Sequence, residues 1–305
     1  MLLKPKLAMC SDRTVLPKTN AKSGQPEDWF NNKNLAKYAL SVTSFDFFID
    51  WTIDRVEDPL WIKRIVSEKF APWPIADTNT LQGWIECSEY LTSIKRLCAF
   101  SSSRGFTVSF MLFKESENWG NSKSPIVKVK LDEDGNIHST FIKTLEEVRG
   151  SIRKYSGGPI SIGQKGLIFG TSSLECFLSK TDSAWPGDVD SLILNDSAEP
   201  IAILEYKKHT KTGSIENQTL SNYYPYPDGR KYKRLWLFKE RISEPALPLV
   251  VCYYSTDVNE KQIKLERLGG TKDKLFVKEN KLIPAPDKDL IETIDNVIFE
   301  TLEFI

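Results

Sequence analysis

Three features of the chain predict an α/β fold over residues 156–305, a mixed sheet flanked by helices, preceded by an α+β domain over residues 1–155. Ile201, Ala202, Ile203 and Leu204 are apolar without alternation, the pattern of a central strand covered on both faces. Around that run the order is a short helical signal opened by Ser172, a strand pair over 187–209, a basic segment, and another apolar strand at Leu247–Tyr254. In the N-terminal half the hydrophobic period switches to two after Gly105, which marks strands following helical signals.

Taken in order, residues 1 to about 28 are polar and contain Pro, Gly and Lys, as expected of a mobile arm or a loop. A helix is expected over Asn34–Val42. Another is expected over Pro59–Phe70, with Asp58 as cap, Pro59 in the first turn, and Leu60, Ile62, Ile65 and Val66 at helical spacing. Leu81–Phe100 fits a helix or a mixed segment, and both remain open. Strands are expected over Phe106–Lys114, Ile126–Leu131 and Ile137–Ile142, the last two joined by a hairpin turn at Asp134-Gly135. Thr144–Tyr155 reads as an amphipathic helix. Ser156-Gly157-Gly158-Pro159 is the expected domain boundary. The stretch from Gly158 to Lys165 approaches a phosphate loop but lacks the Lys after its second Gly and the following Ser or Thr, so it is expected to be a turn. Further strands are expected at 247–254 and 261–268, and a closing amphipathic helix at Leu290–Leu302. Trp29, Trp51, Trp61, Trp73, Trp84 and Trp119 of the N-terminal half are expected in the core, the alternative being base stacking by one or two exposed rings.

Composition excludes several classes. The 305 residues carry 41 Lys+Arg and 41 Asp+Glu, so no global basic field announces nucleic acid, and any basic surface must be local. No apolar run approaches the ~20 residues that cross a bilayer, and the apolar part of the N-terminus is too short for a secretory signal. The five cysteines are scattered without Cys-x-x-Cys pairing, as expected of reduced thiols in the cytoplasm. With only His138 and His209 present, a zinc site or a histidine triad is not expected.

The chemistry-bearing stretch runs from Trp185 to His209. Asn195–Glu199 forms a turn between two strands, and Pro200 opens the second, where its missing N–H does least harm. Alternation places Asp188 and Asp190 on one face of the first strand, and Glu205 and Lys207 on one face of the second with Tyr206 opposite. Charges at the rim of a core are costly unless they hold each other or a metal. This arrangement resembles the PD-(D/E)XK nuclease superfamily, with Asp190 as its Asp and Glu205-Tyr206-Lys207 as its Glu-x-Lys, over a signature of about 25 to 70 residues. Pro186 and Gly187 resemble the Pro that often precedes the Asp. Asp190 is preferred to Asp188 because it lies further into the apolar strand.

The resemblance implies a restriction-endonuclease-like fold and a Mg²⁺-dependent phosphodiesterase, with Mn²⁺ as substitute. Asp190, Glu205 and the backbone carbonyl of Tyr206 would hold the metal, and Lys207 would orient the attacking water. Glu175, on the helix before the Asp strand, corresponds to an additional acid of the superfamily, yet it also fits a capping box with Ser172. Glu279-Asn280-Lys281 repeats the three-residue pattern but is read as solvated loop. From Lys207 to Arg241 nine basic residues face three acidic ones, with tyrosines and Trp236 interleaved, which suits phosphate neutralisation and base stacking. Lys208, Lys211, Arg230, Lys231, Lys233 and Arg234 are the candidate nucleic-acid contacts. The exonuclease branch follows its Lys with a Gln and a Tyr one helical turn apart. Here Gln218 is followed by Asn222 at that spacing, so an endonuclease of restriction, defence, recombination or repair fits as well. DNA is the expected partner, with a homodimer where both strands are cut. The alternative is a nucleic-acid-binding module on the same fold that has lost its chemistry.

Overall fold

The structure is a computed structural model and describes residues 2–67, 73–74, 77–116, 118–121, 123–163, 166–210, 213–242 and 246–305. The chain divides into two compact units. Unit 1 comprises Met1–Pro17 and Phe45–Asp188; unit 2 comprises Lys18–Ser44 and Val189–Ile305. The units therefore do not part at residue 155. Residues 156–188 stay with unit 1 because the backbone is stitched there: Trp51 N–H donates to the Ser156 carbonyl, Ile160 N–H to Asp182, and Ala184 N–H to Ile160.

Residues 2–28 are held by contacts and do not form a free arm. Strands β1 (Leu2–Leu3) and β2 (Ala8–Met9) belong to unit 1, and Arg13 Nη1 donates to the carbonyls of Ala8 and Gly170. The next segment joins unit 2 and carries α1 (Pro26–Trp29) and α2 (Asn32–Leu35). Trp29 is buried, and its indole N–H donates to the Ser23 carbonyl at 2.6 Å. The helix expected over Asn34–Val42 is thus shorter: α2 ends at Leu35, a 3-10 turn follows at Ala36–Tyr38, and β3 begins at Ser41.

Unit 1 continues with β3 (Ser41–Asp50), β4 (Arg55–Val66), α3 (Thr78–Ser88), α4 (Leu91–Ser103), β5 (Thr107–Phe113), β6 (Ile126–Leu131), β7 (Ile137–Lys143), α5 (Leu145–Tyr155), β8 (Phe169–Gly170) and α6 (Ser173–Leu178). The helix expected from Pro59 is instead β4, with residues 68–70 outside the described set. Asp58-Pro59 imitates a helix start. Yet the β3–β4 ladder is irregular between Phe47 and Ile49, opposite Leu60 and Val56, and a proline without an N–H is tolerated at such a break. Leu81–Phe100 resolves into the two helices α3 and α4. Helix α5 begins as its residues dictate, with Thr144 and Glu147 forming a reciprocal capping box. At the β6–β7 hairpin, Asp132 Oδ1 accepts the N–H groups of Asp134 and Asn136, and Gly135 takes a φ of 81°.

Unit 2 contains β9 (Gly187–Leu194), β10 (Pro200–His209), α7 (Gly229–Ile242), β11 (Leu249–Ser255), β12 (Gln262–Thr271), β13 (Lys274–Pro284) and α8 (Ile291–Phe304). The β9–β10 turn forms as the residues suggest, with Asn195 Oδ1 accepting from Ser197 and Glu199 N–H. Glu279 and Lys281 are strand residues of β13, paired with Arg267 and Leu265, rather than solvated loop. Strand β10 is antiparallel to β9 and parallel to β11. Ala202 and Leu204 pack into a core with Trp29, Phe30 and α8 residues Val297 and Ile298. Tyr206 stacks on Phe30 at 6.3 Å. The opposite face of β10 carries Glu205 and Lys207. This is the two-sided cover that the apolar run requires.

The two units share one topology. In each, an antiparallel pair (β3–β4; β9–β10) crosses through helix to a strand parallel to its second member (β5; β11). Two antiparallel strands follow (β6, β7; β12, β13), then a helix (α5; α8). Each unit is a mixed sheet with helices, so unit 1 is α/β like unit 2. The segment just before each hairpin folds with the other unit: α6 precedes β9 but belongs to unit 1, and α1–α2 precede β3 but belong to unit 2. One pairing of thiols corrects the expectation of five reduced cysteines. Cys10 and Cys176, 166 residues apart, form a disulfide in unit 1, while Cys87, Cys98 and Cys252 are free. Gly170 lies against both sulfurs, where a Cβ would come within 2.8 Å of Cys176 Sγ and 3.1 Å of Cys10 Sγ. Among the described residues no helix is long and apolar enough to cross a membrane.

Because segment 18–44 is part of the unit 2 core, Trp29→Ala should destabilise that unit by roughly 3–5 kcal/mol through the cavity it leaves. Urea unfolding monitored by circular dichroism reads this directly. A change of a few tenths of a kcal/mol would mean the arm is dispensable.

Candidate active site

Strand β10 delivers Glu205 and Lys207 to one face, two residues apart, and β9 brings Asp190 beside them. The β9–β10 register pairs Ser191 with Leu204, so the next step along the hairpin sets Asp190 against Glu205. Asp190 Oδ2 accepts the backbone N–H of Tyr206 at 2.8 Å. Ser191, on the other face, bonds the Tyr206 hydroxyl at 2.7 Å, which locks the register from the far side. Helix α7 then lays Lys231 across the pair: its Nζ is 2.8 Å from Glu205 Oε1 and 3.5 Å from Asp190 Oδ1. One ammonium thus touches both carboxylates.

Glu205 is completely buried. Lys207 Nζ lies 3.0 Å from its Oε1 and donates to Asp228 Oδ2 at 2.6 Å. The same ammonium sits 5.3 Å from the ring centre of Tyr223 and 5.2 Å from that of Tyr232. Burial alone would lower the Lys207 pKa, but the Glu205 and Asp228 carboxylates hold the ammonium above its ordinary value. Lys207 is therefore a fixed cation and cannot act as a general base at neutral pH. Despite their ion pairs, neither Glu205 oxygen completes a hydrogen bond of good geometry among the described residues. Two ammoniums compensate its charge, and its unused lone pairs can accept a further donor or ligand. In formal charge, Asp190, Glu205 and Asp228 exceed Lys207 and Lys231 by one.

Sequence reasoning brought Asp190, Glu205, Tyr206 and Lys207 to this point, and the structure gathers them. It missed Asp228, whose approach depends on the fold of the loop before α7. It placed Lys231 among the nucleic-acid contacts, whereas its ammonium holds the two acids. Glu27 on α1 was also missed; it lies close enough to Lys208 and Lys231 for their charges to act on it. Of the remaining basic candidates, Lys208 Nζ donates to the Lys18 carbonyl at 3.3 Å and Lys233 is 3.6 Å from Asp273. Arg230 and Arg234 lie one turn apart on α7, and the Arg230 pKa is lowered by burial and then by Arg234. Lys211 lies outside the described residues.

Glu175 belongs to unit 1. Ser172 caps α6 by accepting the Glu175 N–H, but the Glu175 carboxylate turns to the Thr171 N–H and hydroxyl and to Lys63 Nζ at 3.3 Å, so the capping box is only half made. Lys63 Nζ is also 3.4 Å from Asp46 and 2.9 Å from Thr171 Oγ1. Asp188 faces this cluster electrostatically. By topology Asp46 and Lys63 stand where Asp190 and Lys207 stand in unit 2, and both intervals span 17 residues. The residue at the Glu205 position is Trp61. The equal interval is a signal in the sequence that could have exposed the repeat.

Among the described residues, no group of three or more His, Cys, Asp or Glu side chains is arranged to hold a metal ion. Asp190 and Glu205 are two carboxylates, a number that suits Mg²⁺, which keeps several waters. No family model, curated protein or solved structure matches the chain.

In the unit 1 cluster, burial pushes the Asp46 pKa up from 3.8 to about 6 against the pull of Lys63. The folded state then binds the extra proton between those values. Stability contributed by Asp46 is present near pH 4 and is lost as pH rises to about 6. Wild type should lose up to ~1.4 kcal/mol per pH unit relative to Asp46→Asn across that window. Urea melts of both proteins at pH 4 to 7 measure it, and a constant difference would contradict the assignment.

Proposed function

We propose that unit 2 is a divalent-metal-dependent nuclease acting on DNA phosphodiesters, of the restriction-endonuclease-like class. The observation that carries this reading is the meeting of Asp190, Glu205 and Lys207 at one point on the face of β10, with Glu205 fully buried. Such a pair of hard oxygen donors fits Mg²⁺ or Mn²⁺. Asp190, Glu205 and the Tyr206 carbonyl would hold the ion, which when bound supplies Lewis-acid charge and a water of lowered pKa.

The protein's own groups do the rest. Asp228 and Glu205 clamp Lys207 as a cation, so its ammonium can orient a water by hydrogen bonding and stabilise negative charge developing on the phosphoryl oxygens. Arg230 and Arg234 on α7 supply the nearby positive surface that a polyanion needs. Cleavage of supercoiled plasmid with Mn²⁺ should fall roughly 100-fold or more in Asp190→Ala and in Lys207→Ala, while the circular-dichroism spectrum of each variant is retained. Wild-type cutting rates in both would remove the proposal.

A second reading, a binding module without chemistry, draws on Lys231, whose ammonium already bridges the acids as a built-in cation. The two readings divide on Lys231→Met. If a metal competes with Lys231 for Asp190 and Glu205, titration calorimetry should show Mn²⁺ binding roughly tenfold more tightly in the variant. Absence of Mn²⁺ uptake by both wild type and variant favours the binding module.

A further inference from the structure

The repeated topology lets each sheet position of unit 1 be compared with its counterpart in unit 2. One row across the sheet reads Lys63, Met111, Lys128, Phe141 in unit 1 and Lys207, Tyr253, Lys264, Leu282 in unit 2. The row beside it reads Trp61, Ser109, Lys130, Ser139 in unit 1 and Glu205, Val251, Glu266, Asn280 in unit 2. Both acidic positions of unit 2 have changed sign or character: Glu205 corresponds to Trp61, and Glu266 to Lys130.

The consequence for the shared lysine is large. In unit 2, Lys264 is saturated by Glu266 at 3.0 Å and by the carbonyls of Glu216 and Gln218 at 3.0 and 2.7 Å. Its counterpart Lys128 makes no ion pair or hydrogen bond among the described residues, and its Nζ stands 6.0 Å from the ring centre of Trp61. Burial and the neighbouring Lys130 and Lys143 lower its pKa, as expected of a cation lacking an anion. Beside it opens a cavity of about 250 Å³, lined by Trp61, Lys128, Phe141, Lys143 and Tyr155 among others. Phe141 is 47% exposed, and the buried Trp61 Nε1 has no hydrogen-bond partner among the described residues. Of its two lining lysines, Lys143 is paired, with Glu147 at 3.2 Å.

Aromatic walls with surplus ammonium charge select a ligand that is both flat and anionic. The cavity is somewhat smaller than the ~300–1,000 Å³ of drug-sized pockets, so it can hold one flat base and a charged group while the rest of the occupant stays outside it. We propose that unit 1 binds one nucleotide, its base against Phe141 and Tyr155 and its phosphate at Lys128. That nucleotide is either a free 5′-mononucleotide or one residue of a single strand. The site is independent of whether unit 2 cleaves DNA.

The test is titration calorimetry of the full chain with each 5′-deoxymononucleotide, the matching nucleosides, inorganic phosphate and a short single-stranded oligonucleotide. Saturable binding of a mononucleotide or the oligonucleotide is expected, weaker by about tenfold or more in Lys128→Ala and in Phe141→Ala. Preference for the oligonucleotide identifies a strand as the source; equal binding identifies the free nucleotide. Neither variant removes a buried partner, so both should keep the wild-type melting temperature. The site is refuted if no nucleotide binds at millimolar concentration, or if both unit 1 variants bind like wild type.

Discussion

The fold of unit 2 is constrained above all by the burial of Glu205. Taking a carboxylate out of water costs several kcal/mol, and only well-placed cations offset it. Lys207 at 3.0 Å and Lys231 at 2.8 Å provide them. Lys207 is supplied by the strand itself, two residues on. Lys231 must come from elsewhere, so α7 has to cross this face with its first turn over the acid pair. Tyr232, Leu235 and Phe238 of the same helix are buried against the sheet and hold it there. Asp228, just before α7, then reaches Lys207 at 2.6 Å. The placement of the crossover helix and the assembly of the site are one event, and removing either cation leaves a buried charge worth roughly 3–5 kcal/mol of destabilisation.

What could be read from the sequence was whatever depends on neighbours along the chain. The strand pair over 187–209 was legible because its turn residues and apolar run are local, and alternation put Glu205 and Lys207 on one face. The β6–β7 hairpin and α5 were legible for the same reason. Pro59 failed because Asp-Pro satisfies the start rules of a helix while the deciding fact, pairing with β3 and β5, lies elsewhere in the chain. Glu175 failed differently. Its helix was identified correctly, and the resemblance made it the additional acid on the helix before the Asp strand; that helix folds with unit 1, where the carboxylate bonds Thr171 and Lys63. Lys231 and Glu27 could not be assigned because their roles exist only after α7 and α1 have docked.

Cys10 and Cys176 show the same limit. With 166 residues between them, no spacing rule connects them, and they meet because β2 pairs with β8 immediately before α6. Arg13 fastens the same junction through the Gly170 carbonyl at 2.6 Å.

The two units show how far one topology can be taken by a few side chains. Asp46 and Lys63 keep the places of Asp190 and Lys207, and the shared row keeps a lysine at 128 and at 264. With Trp61 in place of the buried glutamate, the Asp–Lys pair of unit 1 loses its strand-borne second acid, and Glu175 comes from α6 to balance Lys63. That acid arrives with its own partners, Thr171 among them, so the cluster is closed upon itself, unlike Glu205, whose oxygens lack good hydrogen bonds. The contrast gives a physical ground for placing hydrolysis in unit 2 alone under the nuclease reading. A carboxylate already engaged by a threonine and a lysine has little to offer a cation, whereas one buried beside two ammoniums, with its bonding unfinished, stands to gain from it.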